Sequence, residues 1–370
     1  MEIKAAVLEE FGQPLRVQTV DLAPPKAGEV LVRLHACGIC HTDMYTASGV
    51  DPSGYASCVL GHEGAGVVEA VGEGVTSVAV GDHVVTCFSP QCGECVNCRS
   101  GRTNICVAIR EQQNLGYLPD GTARLSRVGD GDPLRHFMGC STFAEATVVS
   151  EYSLARVSPE APLATAALFA CGLTTGLGAA MYRAPVFEGA TVVVFGAGMV
   201  GLGAVAGARL QNAGRIICVD LSEDRLALAR HHGATDTWVA GENTVERVLE
   251  ETSGYGADFT FEATGLVGVM AQAVESARMG WGTCCVTGVA GKGETLDIIP
   301  RYLITGRTVV GASFGGVKSR EQVPQLVDRY LAGDIDADAF VSHRLSLEAI
   351  NKGFDLMHHQ DGIRSVLELA

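Results

Sequence analysis

The chain is short of positive charge and of aromatic rings. Its 27 Lys and Arg are outnumbered by 42 Asp and Glu, for a formal net charge of -15 and a pI near 5.1. That sign excludes a nucleic-acid partner, because binding a phosphate backbone requires a basic face. Aromatic residues make up only 6% of the chain. Low-complexity tracts and blocks of like charge are absent and the mean hydropathy is +0.21, so disorder is excluded. Unbroken apolar runs are missing too. Gly189–Ala208 carries no charge and Ala161–Ala180 is nearly as apolar, but Gly, Pro or Thr interrupts each, and no membrane-spanning helix is expected. The amino-terminal MEIKAAVLEEFG has acids among its first residues and no small-residue cleavage site, so it does not read as a secretory signal.

Glycine and cysteine are what the chain has in plenty. Gly accounts for 46 of 370 residues, about 12% against roughly 7% in average usage, which implies many tight turns and close backbone approaches. A length of 370 residues predicts two domains. Thirteen cysteines is an odd number, and it favours metal ligation over a disulfide framework. Cys92, Cys95, Cys98 and Cys106 are spaced C-x2-C-x2-C-x7-C in CGECVNCRSGRTNIC. Thiolates two residues apart on a turn converge on one ion, and four sulfurs close a tetrahedral shell with no corner left for chemistry. A structural zinc is the expectation, with an iron–sulfur cluster as the competing reading.

Residues 1–150 read as short strands between Gly-rich breaks, among them VLVRLHACG, GAGVVEAVG and GDHVVTCF. From about residue 190, strands and helices alternate. ATVVVF and RIICVD are strands, GAGMVGLGAVAGARLQNAG and SEDRLALARHHG helices, and ADFTFEATG and GTCCVTGV later strands. Alternation of this kind predicts a parallel sheet with crossover helices. Beyond about 315, QVPQLVDRYLAG reads as a helix and SVLELA as a terminal strand.

Gly196, Gly198 and Gly201 form G-x-G-x-x-G directly after a strand and before a helix, and Asp220 ends the next strand. The glycines allow a tight turn, approach of a pyrophosphate to the helix amino end, and helix-on-strand packing. Asp220 can accept both adenosine ribose hydroxyls and would repel a 2′-phosphate, so NAD is expected over NADP. Arg225, five residues on, suits packing over the adenosine, although a surface cation is its ordinary reading. A second metal constellation is scattered. Cys40 lies in ACGICHTD, His62 and Glu63 in GHEGAGVVEAVGEGV, and Cys171 in FACGLTTG. Two thiolates and one imidazole with an open fourth position describe an alcohol-activating zinc, whereas each residue alone would more often be core filler.

GHEGAGVVEAVGEGV satisfies G-H-E-x2-G-x5-G-x2-V through Gly61, His62, Glu63, Gly66, Gly72 and Val75. With it, the chain resembles the zinc-dependent medium-chain alcohol dehydrogenases over essentially its whole length. CHTDMYTASGVDPSG, PQCGECVNC, GYLPDGTAR, GWGTCCVTGVAGKGE and INKGFDLMHHQDGIRSV resemble the class III branch, which oxidises S-hydroxymethylglutathione. The resemblance implies an α/β fold, with a Rossmann doubly wound parallel-sheet NAD-binding domain over 173–314. A mainly-β, GroES-like catalytic domain with two zinc sites is implied over 1–172 and 315–370. Catalytic zinc on Cys40, His62 and Cys171 is implied, with Glu63 beside it, as is hydride transfer to NAD. Asp43 matches the acid that orients the histidine ligand, and Thr42 the hydroxyl that carries the substrate proton. His41 and Arg364 match positions that touch the coenzyme pyrophosphate. Tyr45 stands where many relatives place a relay histidine. A cytoplasmic homodimer is implied, formed through the coenzyme domains, with 107–139 a long connection like that of the dimeric branches.

For the glutathione moiety, Arg110 matches a carboxylate-gripping arginine and Asp51 an acid near the amino group. Arg110 also reads as a solvated loop cation. Ser53 and Met279 depart from the Glu and Lys of the branch, and Arg278 is the neighbouring cation, although on a regular element its position points elsewhere than the lysine. Phe88 makes one pocket wall less polar than the usual Tyr. Free medium-chain or aromatic alcohols and aldehydes are therefore the alternative substrates. A catalytically silent scaffold of the same fold is the remote one.

Overall fold

The computed structural model describes residues 1–51 and 54–369, and the chain divides into two compact units: Met1–Cys171 with Lys318–Ala370, and Gly172–Val317. The first unit is mostly strand. β1 (Glu2–Leu8), β2 (Arg16–Leu22), β3 (Glu29–Gly38), β4 (Cys58–Val59), β5 (Glu63–Val71), β6 (His83–Thr86), β7 (Leu125–Arg127), β8 (Pro133–His136), β9 (Ala146–Ser150) and β10 (Leu154–Arg156) follow in order. β17 (Val341–Ser346) and β18 (Arg364–Glu368) complete it from the far end of the sequence. β1, β2, β7, β8 and β4 close a small barrel, which removes the edges that short strands would otherwise expose. A second sheet runs β10-β6-β5-β3-β18-β17, with β9 also on β3. Alternate residues of β3, Val30, Val32 and Leu34, are buried against Val68, Val84 and Val149, so the period-2 pattern sets its register.

Three short helices of this unit position the cysteine-containing segments or pack beside them: α1 (His41–Ala47), α2 (Val96–Ser100) and α3 (Val107–Gln113). α3, β7 and β8 fall within 107–139, which reads as a connection in the sequence. Strands of three and four residues carry too little alternation to show a period.

The second unit holds β11 (Thr191–Phe195), β12 (Arg215–Asp220), β13 (Asp236–Val239), β14 (Phe259–Glu262), β15 (Thr283–Val286) and β16 (Thr308–Gly311). They form one parallel sheet in the order β13-β12-β11-β14-β15-β16, the doubly wound arrangement of the Rossmann fold. β-branched and aromatic side chains of the central strands (Val193, Phe195, Ile217, Val219) pack with Trp238, Val248 and Val274 into its core. The strand order reverses at β11, and in open parallel sheets ligands bind in the crevice beyond the carboxyl ends of the strands at such a point. Among the described residues no single helix is long and apolar enough to cross a membrane.

Candidate active site

Four side chains from three distant stretches meet inside the first unit: Cys40, His62, Glu63 and Cys171 offer ligand atoms that all lie within 4.8 Å of one another. Cys40 ends the loop after β3 and caps α1. His62 and Glu63 enter β5. Cys171 is the last residue before the helix Gly172–Gly178.

Asp43, wholly buried on the first turn of α1, ties the first two stretches together. Its Oδ2 accepts the Cys40 N–H at 2.9 Å, and its Oδ1 accepts the Gly61 N–H at 3.1 Å and lies 3.0 Å from His62 Nδ1. With Nδ1 so engaged, the buried Nε2 of His62 has no hydrogen-bond partner among the described residues. Thr86 is a contributor with no mark in the sequence. Its hydroxyl donates to the His62 carbonyl and accepts the Gly64 N–H, both at 2.9 Å, and so fixes the entry to β5.

The electrostatics describe a site built around one positive charge. The hydrogen bond from Cys171 holds the Cys40 thiol well below its usual range, with help from Arg364 and His62, against the opposing effect of burial. The same bond and burial push Cys171 up. Burial would lower His62, but Asp43 and Cys40 outweigh it and raise the imidazole. Burial pushes Glu63 up to about 7 despite Arg364, whose guanidinium lies 3.2 Å away. A thiolate, a basic imidazole and a second sulfur converging on a dry spot suit a borderline-soft cation, and binding one releases the protons held there. The two sulfurs and the nitrogen fit zinc, with the Glu63 carboxylate oxygen beside them.

Thr42 Oγ1 lies 3.7 Å from Cys40 Sγ. Tyr45, one helical turn further along α1, has a buried hydroxyl with no partner among the described residues. Phe88 and Phe137 present ring edges to the His62 imidazole, with centroids at 5.5 and 5.8 Å. Nothing in the sequence singled out Phe137. Arg364 is buried, donating to the Ile39 carbonyl and paired with Glu63, while His41 is exposed. Asp51 accepts from the Thr46 hydroxyl at 2.7 Å, and Arg110 is exposed on α3. Ser53 lies outside the described residues. Met279 is 55% exposed, and Arg278 does not reach out in its place, since its guanidinium stacks on Trp281 at 4.3 Å and Tyr255 at 5.0 Å.

The second cluster is Cys92, Cys95, Cys98 and Cys106, again with all sulfurs within 4.8 Å. Its sulfurs accept from the segment's own backbone. Cys92 Sγ receives the N–H groups of Glu94 and Cys95 at 3.4 and 3.3 Å, and Cys95 Sγ that of Cys98 at 3.4 Å. Burial opposes it, yet N–H groups of Cys98, Val107 and Ala108 bring Cys95 down to about 6. Four preorganised sulfurs with no other donor grouped with them among the described residues fit a closed structural zinc site. The seven remaining cysteines (37, 58, 87, 140, 218, 284 and 285) are all buried and free. Burial pushes Cys58 and Cys87 up to about 12, which makes them inert thiols.

In the second unit the turn after β11 has Gly196 at φ +93°, and a Cβ on Gly201 would collide with the Gly196 carbonyl. A Cβ on Gly198 would meet nothing within 4 Å, so space is open where a pyrophosphate would approach. Asp220 accepts the Ala197 N–H at 2.7 Å and the Ser222 N–H at 2.9 Å, which holds its carboxylate over the turn. Arg225 is half-buried on the following helix.

Residues 26–159 match the alcohol dehydrogenase GroES-like domain family, and residues 199–332 match the zinc-binding dehydrogenase family. The chain is 50% identical over 369 residues to proteins named S-(hydroxymethyl)glutathione dehydrogenase from Escherichia coli O157:H7 and Shigella sonnei, covering 99% of this chain and all of each relative. Among solved structures it resembles benzyl alcohol dehydrogenase from Acinetobacter calcoaceticus, with a TM-score of 0.93 and 30% identity over all of both chains. An alcohol dehydrogenase zinc-binding domain protein from Burkholderia ambifaria matches with a TM-score of 0.94 and 35% identity, covering 100% of this chain and 99% of that one.

Proposed function

Since the chain belongs to the zinc-dependent medium-chain alcohol dehydrogenases and uses NAD and two zinc ions, we propose that it oxidises S-hydroxymethylglutathione, the adduct of formaldehyde and glutathione, to the formyl thioester. The observation that carries this reading is half-identity along the full chain to enzymes named for that substrate. In our reading Met1–Cys171 with Lys318–Ala370 is the catalytic domain and Gly172–Val317 the coenzyme domain.

Zinc held by Cys40, His62 and Cys171 supplies a Lewis acid that lowers a hydroxyl pKa by several units, each about 1.4 kcal/mol, and NAD supplies the hydride acceptor. The protein's own residues do the rest. Asp43 fixes the imidazole tautomer so that Nε2 is the ligand atom. Thr42 Oγ1 takes the hydroxyl proton from the substrate and hands it toward solvent. Glu63 and Arg364 balance charge beside the ligands. Tyr45, Phe88 and Phe137 wall the pocket and keep water from it, with the Tyr45 hydroxyl free to meet a polar substrate atom. Gly196, Gly198, Gly201 and Asp220 hold the coenzyme, with Arg225, His41 and Arg364 as its further contacts.

A second reading, oxidation of free aromatic or medium-chain alcohols, draws on Met279 in place of a lysine and on the likeness to benzyl alcohol dehydrogenase. Initial rates of NAD reduction with formaldehyde, with and without glutathione, set against benzyl alcohol and octanol, separate the two. A rate indifferent to glutathione removes the first reading and leaves Asp51 and Arg110 without a substrate role.

A homodimer is supported by β16. Among the described residues this strand is paired on one side only, and it is flanked by exposed Ile299, Leu303 and Ile304, the last 85% exposed. An apolar, unpaired edge of this kind calls for a second copy. Ile304→Glu is expected to shift the mass in light scattering toward the monomer. Thirteen cysteines with no disulfide among the described residues support a cytoplasmic setting.

A further inference from the structure

Gln113 takes no part in the chemistry above, yet its side chain touches both walls of the site. It is the last residue of α3 and is 7% exposed. Its Nε2 donates to the Phe88 carbonyl at 2.7 Å and to the Met138 carbonyl. Those two carbonyls belong to separate loops, and each loop carries a ring that lies edge-on to His62: Phe88 at 84° and Phe137 at 67°. Met138 sits at φ 51°, a left-handed conformation that methionine seldom adopts, so its surroundings must hold it there. At its other end α3 starts from Cys106, the fourth sulfur of the cysteine quartet. One rigid helix therefore leads from the quartet to the amide that joins the two loops.

We propose that Gln113 is a positioning residue, through which the order of the four-cysteine lobe fixes Phe88 and Phe137 against His62 and sets the width of the substrate pocket. The proposal rests on His62 being a zinc ligand. An isosteric side chain without donors removes the amide that joins the two loops and lets them part, so the rings leave the imidazole. The rings wall the space the substrate enters and touch no reacting atom, so their displacement is expected to weaken substrate binding and to appear in KM.

The test compares the parent holoenzyme with Gln113→Met, each with zinc or with cobalt exchanged into the catalytic site. KM for the better of S-hydroxymethylglutathione and benzyl alcohol is expected to rise roughly fivefold or more, with kcat changed less than about twofold. The visible cobalt bands should shift, and the catalytic ion should pass to a chelator faster. Cys106→Ser should shift the same bands from the far end of α3. A folded Gln113→Met protein with two ions per chain and unchanged KM and bands overturns the proposal, even if its Tm falls. If Gln113→Met does not fold, Phe137→Leu, which keeps the amide bonds, should give the same KM rise, and an unchanged KM again overturns it. A parent that binds no ion at His62 removes the reading of the site and the proposal with it, and only that outcome removes both.

Discussion

The two cysteine-containing centres of this molecule are made in opposite ways. Cys92, Cys95, Cys98 and Cys106 lie close together in sequence, three of them half-exposed, and their sulfurs are bonded by N–H groups of the same segment. Cys40, His62 and Cys171 come from three separate stretches into a largely buried spot, where Asp43, Arg364 and Glu63 supply the opposing charges. The local centre offers four sulfurs and is closed. The assembled one offers two sulfurs and a nitrogen, with a carboxylate oxygen beside them. A site that needs only shape can be written into one loop, whereas a coordination site in a dry pocket needs walls, and walls come from elsewhere in the chain.

That contrast can be broken in order of expected effect. Cys40→Ala should lower kcat/KM by roughly four orders of magnitude or more, because the hydroxyl then keeps its ordinary pKa, while far-UV circular dichroism stays that of the parent. Loss of fold instead of activity would erase the distinction between the centres. Cys95→Ala should do the reverse. It should release one zinc per chain, cost about 4 kcal/mol and lower Tm by roughly 10 °C in a thermal scan, with the remaining folded enzyme still turning over. Asp43→Asn, which weakens the partner of His62, should reduce affinity for the catalytic ion by roughly ten- to a hundredfold in chelator competition and spare the quartet.

In the other unit, Asp220→Ala should raise KM for NAD about tenfold and narrow its advantage over NADP. An unchanged cofactor ratio would falsify the role given to that carboxylate.

The smallest expected effect contrasts two buried histidines. His62 has a carboxylate partner. His136 instead accepts the Arg124 N–H at 3.0 Å, and burial, with Arg124, lowers it to about 3 from 6.5. Its folded-state pKa lies below the unfolded value, so its contribution is intact above pH 6.5. It is lost as pH falls toward 3, because the unfolded chain takes up a proton that the native chain refuses. The slope is about 1.4 kcal/mol per pH unit once below 6.5. Urea midpoints at pH 7, 6 and 5 should show this acid loss, and His136→Gln, which keeps an acceptor and cannot titrate, should flatten it.

Legibility followed locality. The cysteine quartet was readable because its spacing is itself the geometry, and β11, the glycine turn and β12 were readable because strand, turn and helix signals adjoin there. The barrel strands β7 and β8 were not, since runs of three and four residues show no period. Thr86, Phe137 and Gln113 left no mark either. A threonine that pins a strand, a ring edge on an imidazole and an amide between two carbonyls are ordinary residues until the backbone brings their partners to them.

The sequence alone determined the kind of atoms this protein offers: four sulfurs on one loop, a signature histidine with its neighbouring acid, and a glycine turn ahead of an aspartate. Only the tertiary structure decided that Cys40, His62 and Cys171 share one spot within 4.8 Å, that Arg364 pairs with Glu63 beside them, and that rings box in the imidazole. Residue type and spacing travel with the chain, but a distance between remote segments, and the desolvation that gives a charge its strength, exist only once the sheets have packed.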